Sequence, residues 1–81
     1  MKINIEMPML GENGPDEGTI SFWLVDPGEP FKKGDDLVEI LTDKAAFKVP
    51  APEGGRLVEI HAGEGRKAKV GNVIAVMETG A

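Results

Sequence analysis

The sequence has no cysteine and no tyrosine, and only one serine and one histidine among its 81 residues. Without cysteine there is no disulfide and no thiolate-ligated metal site, so apolar packing and well-formed turns must hold the fold together. A Ser-His catalytic pair would have to be built from Ser21 and His61 alone. These absences argue against a hydrolytic enzyme and predict a non-catalytic domain.

Positive charge and long apolar runs are also scarce. The formal net charge is −5 and the isoelectric point is about 4.7, which argues against binding a phosphate backbone. No apolar run approaches the roughly 18 residues that span a bilayer, and the first four residues lack the apolar region of a signal peptide. We therefore expect a cytoplasmic protein with neither nucleic acid nor a membrane as partner, located in the mitochondrial matrix if the source is eukaryotic, although no transit peptide is seen.

Glycine and proline, by contrast, are abundant, and they separate short runs of Ile, Val, Leu and Phe. Eleven glycines and six prolines in this pattern predict an all-β chain without helices. Comparing the sequence with itself at a shift of 37 residues aligns identical residues without a gap, among them Pro15 with Pro52, Gly18 with Gly55, Gly28 with Gly65, Lys32 with Lys69, and Gly34 with Gly71.

Two halves of this size are too small to fold separately, so they must cover each other. We expect a flattened barrel or sandwich of two antiparallel four-stranded sheets with internal pseudo-twofold symmetry. Period-two alternation predicts an inner core of Trp23, Val25, Ile60 and Ala62. Phe22 and Leu24 fall on the opposite face and are expected to be half-covered.

Glu59 and His61 are also expected to share an outward face, where they form either a metal-binding pair or part of a solvated surface. No second histidine or carboxylate cluster completes a coordination shell, which favours the solvated surface.

Lys44 is the candidate functional residue. The shift of 37 also aligns Ile3 with Ile40 and Met7 with Lys44, so the two halves differ in chemistry at that position. Strand-like sequence on both sides makes Thr42-Asp43-Lys44-Ala45 a four-residue turn. We expect Asp43 to hydrogen-bond the backbone ahead of it and to hold the Lys44 stem outward.

Several motifs in a fixed order surround this lysine. Val49-Pro50-Ala51-Pro52 and Gly54-Gly55 follow it, and Met7-Pro8, Leu10-Gly11-Glu12, Glu17-Gly18-Thr19-Ile20 and Trp23-Leu24-Val25 precede it. From about residue 3 to 78, the chain resembles the lipoyl domains of the acyltransferase components of 2-oxo acid dehydrogenase complexes. The resemblance implies covalent attachment of lipoate to Lys44 as N6-lipoyl-lysine, with Thr42, Asp43 and Ala45 recognised by the modifying enzyme.

The resemblance also implies a set of partners. These are a lipoyl ligase or octanoyl transferase, a thiamin-diphosphate 2-oxo acid decarboxylase, the acyltransferase core, and a dihydrolipoyl dehydrogenase. The chain departs from the family in two places: Leu41 stands where many members carry Glu, and the loop before the second strand is slightly long. The partner-recognition loop implied by the family comprises Leu10, Gly11, Glu12, Asn13, Gly14, Pro15, Asp16 and Glu17.

We interpret residues 1–81 as a single carrier domain, monomeric in isolation and N-terminal in a longer, multidomain acyltransferase. Three alternatives stay open. A biotin carboxyl carrier domain shares the fold but has Met on both sides of its lysine, whereas Asp43 and Ala45 flank Lys44 here. A glycine-cleavage carrier protein is longer and has helical additions. An unmodified interaction module would use the hairpin only for packing.

Overall fold

The computed structural model describes residues 1–10 and 14–80, and in these ranges the regular elements are all β-strands, which confirms the expected fold class. Their order along the chain is β1 (Lys2–Glu6), β2 (Glu17–Trp23), β3 (Pro30–Phe31), β4 (Asp36–Leu41), β5 (Ala46–Pro50), β6 (Gly55–Ile60), β7 (Lys67–Lys69) and β8 (Val73–Thr79). No helix in the described part of the chain is long and apolar enough to cross a membrane.

The strands form two antiparallel four-stranded sheets. One has the order β1-β8-β6-β3 and contains the strands closest to both chain ends, so we call it the terminal sheet. The other has the order β5-β4-β2-β7 and contains the hairpin that carries Lys44, so we call it the turn sheet. The molecule measures 38 × 22 × 17 Å, which agrees with the flattened shape predicted from the sequence.

The core lies between the two sheets, and most of its completely buried large side chains are on β4 and β8. The largest completely buried side chains are Met7, Ile20, Leu37, Val38, Ile40, Leu57, Ile74 and Met77. Burying a side chain of this kind stabilises the fold by about 1.5–3 kcal/mol relative to leaving it exposed. The two sheets are therefore held together mainly by these eight residues.

The predicted inner core is only partly correct. Ala62 is buried, but Trp23, Val25 and Ile60 are half-buried and pack against the edge of the core. The cause is the shortness of β3 and β7, which pair only with the first residues of β6 and β2 and leave the ends of those strands less covered. The indole N–H of Trp23 also needs a polar partner when it is partly buried. It donates a hydrogen bond of 2.9 Å to the Ala62 carbonyl.

The pseudo-twofold symmetry is clearest at four glycines. Gly28 and Gly34 have φ of 87° and 90°, and Gly65 and Gly71 have φ of 84° and 91°. A shift of 37 residues carries each glycine of the first pair onto one of the second, and the same shift relates β2, β3 and β4 to β6, β7 and β8. The internal repeat predicted from the sequence is thus correct from β2 onwards.

The first strand does not obey that shift. A shift of 44 residues carries β1 onto β5, and it carries Met7 onto Ala51. Met7 bonds to Asn72 O and Gly71 N, and Ala51 bonds to Asp35 O and Gly34 N, which are equivalent partners. The gap-free alignment of Met7 with Lys44 and of Ile3 with Ile40 was therefore wrong. It failed because segment 7–16 is longer than the corresponding segment 51–54.

Candidate functional site

The turn between β4 and β5 is built around the Thr42 side chain. The Thr42 hydroxyl accepts hydrogen bonds from the backbone N–H of Lys44 (3.3 Å) and Ala45 (3.1 Å), and it lies 3.1 Å from the Ala45 carbonyl. The Thr42 N–H also donates to that carbonyl at 2.9 Å. The expectation that Asp43 would fix the bend was wrong, because the hydroxyl already satisfies the backbone donors that an Asp43 carboxylate would have bound.

Lys44 is exposed at this turn, as are Asp43 and Ala45 on either side of it. Within residues 1–10 and 14–80, no ion pair or hydrogen bond involves the Lys44 amine. The backbone is thus fixed by Thr42 while the amine stays accessible. These two properties suit a lysine that another enzyme modifies covalently.

The predicted recognition loop is only partly an exposed surface. Gly14, Asp16 and Glu17 are exposed and Pro15 is half-buried, whereas Gly11, Glu12 and Asn13 lie outside the described residues. Leu10 is only 3% exposed, so its side chain is unavailable to a partner. It belongs to the core instead, because its Cδ1 lies 3.1 Å from where a Cβ on Gly18 would stand.

A groove beside the turn, which we call the turn groove, brings this loop and the hairpin together. Its volume is about 460 Å³, and it is lined by Pro15, Glu17, Gly18, Thr19, Leu41, Thr42, Asp43 and Lys67. Thr19 pairs with Leu41 on β4 and with Lys67 on β7, which places all three in one row across the turn sheet. Sequence reasoning missed Thr19 and Lys67, because only the strand register brings them beside the turn.

The terminal sheet carries the Glu59–His61 pair on its outer face, as the alternation predicted. His61 Nε2 lies 3.0 Å from Glu59 Oε2, and the two side chains are 46% and 64% exposed. Hydrogen bonding and charge attraction from His61 lower the pKa of Glu59 below its ordinary value. The exposure of both side chains makes the pair a solvated surface contact. No group of three or more metal-ligating side chains occurs among the described residues.

Comparison with protein families gives one match over nearly the whole chain. The family model described as biotin-requiring enzyme, with the name Biotin_lipoyl, matches residues 3–77. This span contains β2 to β7, most of β1 and β8, and the turn with Lys44.

Several curated proteins are similar in sequence. The lipoamide acyltransferase component of the branched-chain alpha-keto acid dehydrogenase complex of Bacillus subtilis is 44% identical over 73 residues, which are 90% of this chain and 17% of that protein. The dihydrolipoyllysine-residue acetyltransferase of the pyruvate dehydrogenase complex of Corynebacterium glutamicum is 40% identical over 77 residues, 95% of this chain and 11% of that protein. The chain thus spans less than a fifth of the length of each.

Two solved structures share the fold. The lipoyl domain of the 2-oxoglutarate dehydrogenase complex from Azotobacter vinelandii superimposes with a TM-score of 0.78 at 32% identity, covering 98% of this chain and 99% of that one. A single-chain, multidomain long-chain acyl-CoA carboxylase superimposes with a TM-score of 0.82 at 18% identity, covering 99% of this chain and 7% of that one. At that identity the second similarity is one of fold alone.

Proposed function

The chain belongs to the Biotin_lipoyl family, and from that premise we propose that it is a lipoyl carrier domain modified on Lys44. The observation that carries the proposal is the placement of an accessible lysine in a backbone-fixed hairpin turn. The domain itself is non-catalytic. It supplies the position of the amine, while other proteins supply the chemistry.

The names of the similar proteins favour lipoate over biotin as the attached group. Two of the similar proteins have a dihydrolipoyllysine residue in their names, one as an acetyltransferase and one as a succinyltransferase. The solved structure at 32% identity is a lipoyl domain. The neutral amide formed on Lys44 would need no charged partner, and the turn provides none to its amine among the described residues. Bound there, lipoate supplies a disulfide that accepts an acyl group and electrons.

The Lys44 amine must be activated by a separate enzyme. A lysine amine becomes an effective nucleophile only when a base or an enzyme activates it. We infer that a lipoyl ligase or an octanoyl transferase reads the turn, with Thr42 fixing its shape and Asp43 and Ala45 exposed beside the amine. The small Ala45 side chain leaves that approach open.

The partners follow from the same proposal. A carrier in a 2-oxo acid dehydrogenase complex visits a thiamin-diphosphate decarboxylase, an acyltransferase core and a dihydrolipoyl dehydrogenase. A single exposed turn suits three different active sites, because a narrow projection fits each entrance. Tethering to a larger chain would raise the effective concentration of the arm without tight binding, so that the arm could leave each site quickly.

Intact mass after co-expression with a lipoyl ligase tests this function. We expect the 81-residue chain to gain the mass of one lipoyl group, and Lys44→Gln to gain none. Lys48→Gln, which changes an exposed lysine on β5, serves as the matched control and should be modified like the parent. Modification by a biotin ligase instead would establish the biotin carrier alternative, and no modification by either ligase would leave an interaction module.

A further inference from the structure

The turn groove begins at the residues that directly precede the attachment point. Thr42 and Asp43 form its wall on the hairpin side, and Leu41 continues that wall along β4. Lys44 is the next residue after Asp43, so a group bound to its amine is attached one residue from the lining of the groove. Leu41 is 41% exposed there, which leaves its methyl groups available to a ligand.

The equivalent place at the other end of the molecule has different chemistry. The shift of 37 residues carries Leu41 onto Glu78 and Thr19 onto Arg56. Glu78 and Arg56 are cross-strand neighbours on the terminal sheet. Leu41 and Thr19 are cross-strand neighbours on the turn sheet. The backbone thus accepts a pair of opposite charges at this place. The fold does not require a neutral, partly apolar pair beside Lys44.

The size of the groove suits the arm. The distance from β4 across β2 to β7 is two strand spacings, or about 10 Å. The four methylenes of a lysine side chain, extended by an eight-carbon acyl chain, are longer than this span. The groove, with a volume of about 460 Å³, offers such a chain a surface to lie along.

We propose that the turn groove is a resting site for the neutral lipoyl arm carried by Lys44, with Leu41 and the Thr19 methyl group contacting its apolar part. This inference rests on the proposed function and assigns a second role to the surface beside the turn. Glu17, Asp43 and Lys67 form a charged rim that stays hydrated around an uncharged occupant. The groove is open on one side, so the arm is held weakly and leaves readily for a partner's active site.

Methyl NMR of the unmodified and the lipoylated chain tests the inference. With Leu, Val, Ile and Thr methyl groups labelled, we expect the Leu41 and Thr19 signals to shift on lipoylation and to show cross-peaks to protons of the arm. The methyl signals of Val58 and Thr79, on the terminal sheet, should not shift.

A graft of the terminal pair provides the decisive variant. Leu41→Glu combined with Thr19→Arg copies the residues found at Glu78 and Arg56. We expect it to be lipoylated and to keep the Leu37 and Ile74 core signals of the parent, but to lose the cross-peaks between arm and groove. Val58→Glu, at a position that is 37% exposed on the other sheet, is the matched control and should keep them.

The outcomes separate this inference from the proposed function. Absence of any mass gain at Lys44 would contradict the function itself. A normal mass gain with no shift of the Leu41 and Thr19 methyl signals would contradict the resting site alone. Cross-peaks that survive the graft would also overturn it. Signals that move only when a decarboxylase is added would show that the groove receives the partner and not the arm.

Discussion

The two ends of the molecule have nearly the same backbone and different surfaces. At one end, Thr42 N donates to Ala45 O at 2.9 Å within a continuous turn. At the other, Thr79 N donates to Met1 O at 2.8 Å, and this contact joins the last strand to the first residue. In both places the threonine hydroxyl also reaches the same carbonyl, at 3.1 and 3.3 Å.

The outer faces of the two sheets differ in polarity at equivalent positions. Phe22, Leu24 and Leu41 are 39%, 38% and 41% exposed on the turn sheet. The shift of 37 residues carries them onto Glu59, His61 and Glu78 of the terminal sheet. The pattern is reversed elsewhere, for example where Glu39 and Ser21 of the turn sheet correspond to Val76 and Val58 of the terminal sheet. The backbone thus sets the position of the turn, and the side chains around it distinguish this end of the molecule from the other.

Exchanging the residues at positions 43 and 44 should have the largest effect, because it moves the amine by one residue without changing the composition. Asp43→Lys with Lys44→Asp should abolish lipoylation, and both positions are exposed, so the fold should persist. Intact mass and circular dichroism are the measurements. Lys2→Ala, a change near the terminal end, should leave modification unaffected. Labelling of the exchanged protein at the parent rate would show that turn position does not set recognition.

The equivalent glycines Gly18 and Gly55 should differ strongly in their tolerance of a methyl group. A Cβ on Gly55 would stand 2.1 Å from the Glu78 carbonyl oxygen, a backbone atom, whereas one on Gly18 would meet the Ile40 side chain at 2.6 Å. Overpacking costs about 1–3 kcal/mol and occasionally more. We expect Gly55→Ala to lose about 3 kcal/mol or more and Gly18→Ala about 1–2 kcal/mol. Urea unfolding measures both, and equal losses would mean that the Ile40 side chain cannot move aside.

Replacing the equivalent threonines Thr42 and Thr79 should disturb the local backbone to different degrees. Thr42→Val removes hydroxyl contacts to Lys44 N, Ala45 N and Ala45 O, whereas Thr79→Val removes one contact, to Met1 O. Each hydrogen bond contributes about 1 kcal/mol. Amide hydrogen exchange at Lys44 and Ala45 should therefore accelerate by roughly fivefold or more in Thr42→Val. Thr42→Ser should restore the parent rate, and unchanged exchange in Thr42→Val would assign the turn geometry to the backbone alone.

The sequence predicted those features that depend on residues close together in the chain. The four-residue turn and the outward face of Glu59 and His61 are of this kind. It predicted Asp43 instead of Thr42 as the residue that fixes the turn, because both have suitable side chains and only the geometry distinguishes them.

Features that depend on register and on loop length could not be predicted. The alignment of Met7 with Lys44 failed because a longer segment follows β1 than follows β5. The turn groove was missed because Thr19, Leu41 and Lys67 come together only through the pairing of β2 with β4 and β7. One residue of slip in either pairing would turn these side chains to the other face.

The smallest expected effect concerns stability in acid. At equivalent positions the terminal sheet has Glu59 and His61, whereas the turn sheet has Phe22 and Leu24. The hydrogen bond from His61 lowers the pKa of Glu59 in the folded protein. Such a group adds stability above its ordinary pKa, and this stability is lost as the pH falls through the lowered value. Glu59→Gln should therefore flatten slightly the acid side of the stability profile, measured by urea midpoints from neutral pH to about pH 3. His61→Gln should flatten it equally, because it removes the cause of the shift, and a profile as steep as that of the parent in both variants would show that this exposed contact does not contribute to folding.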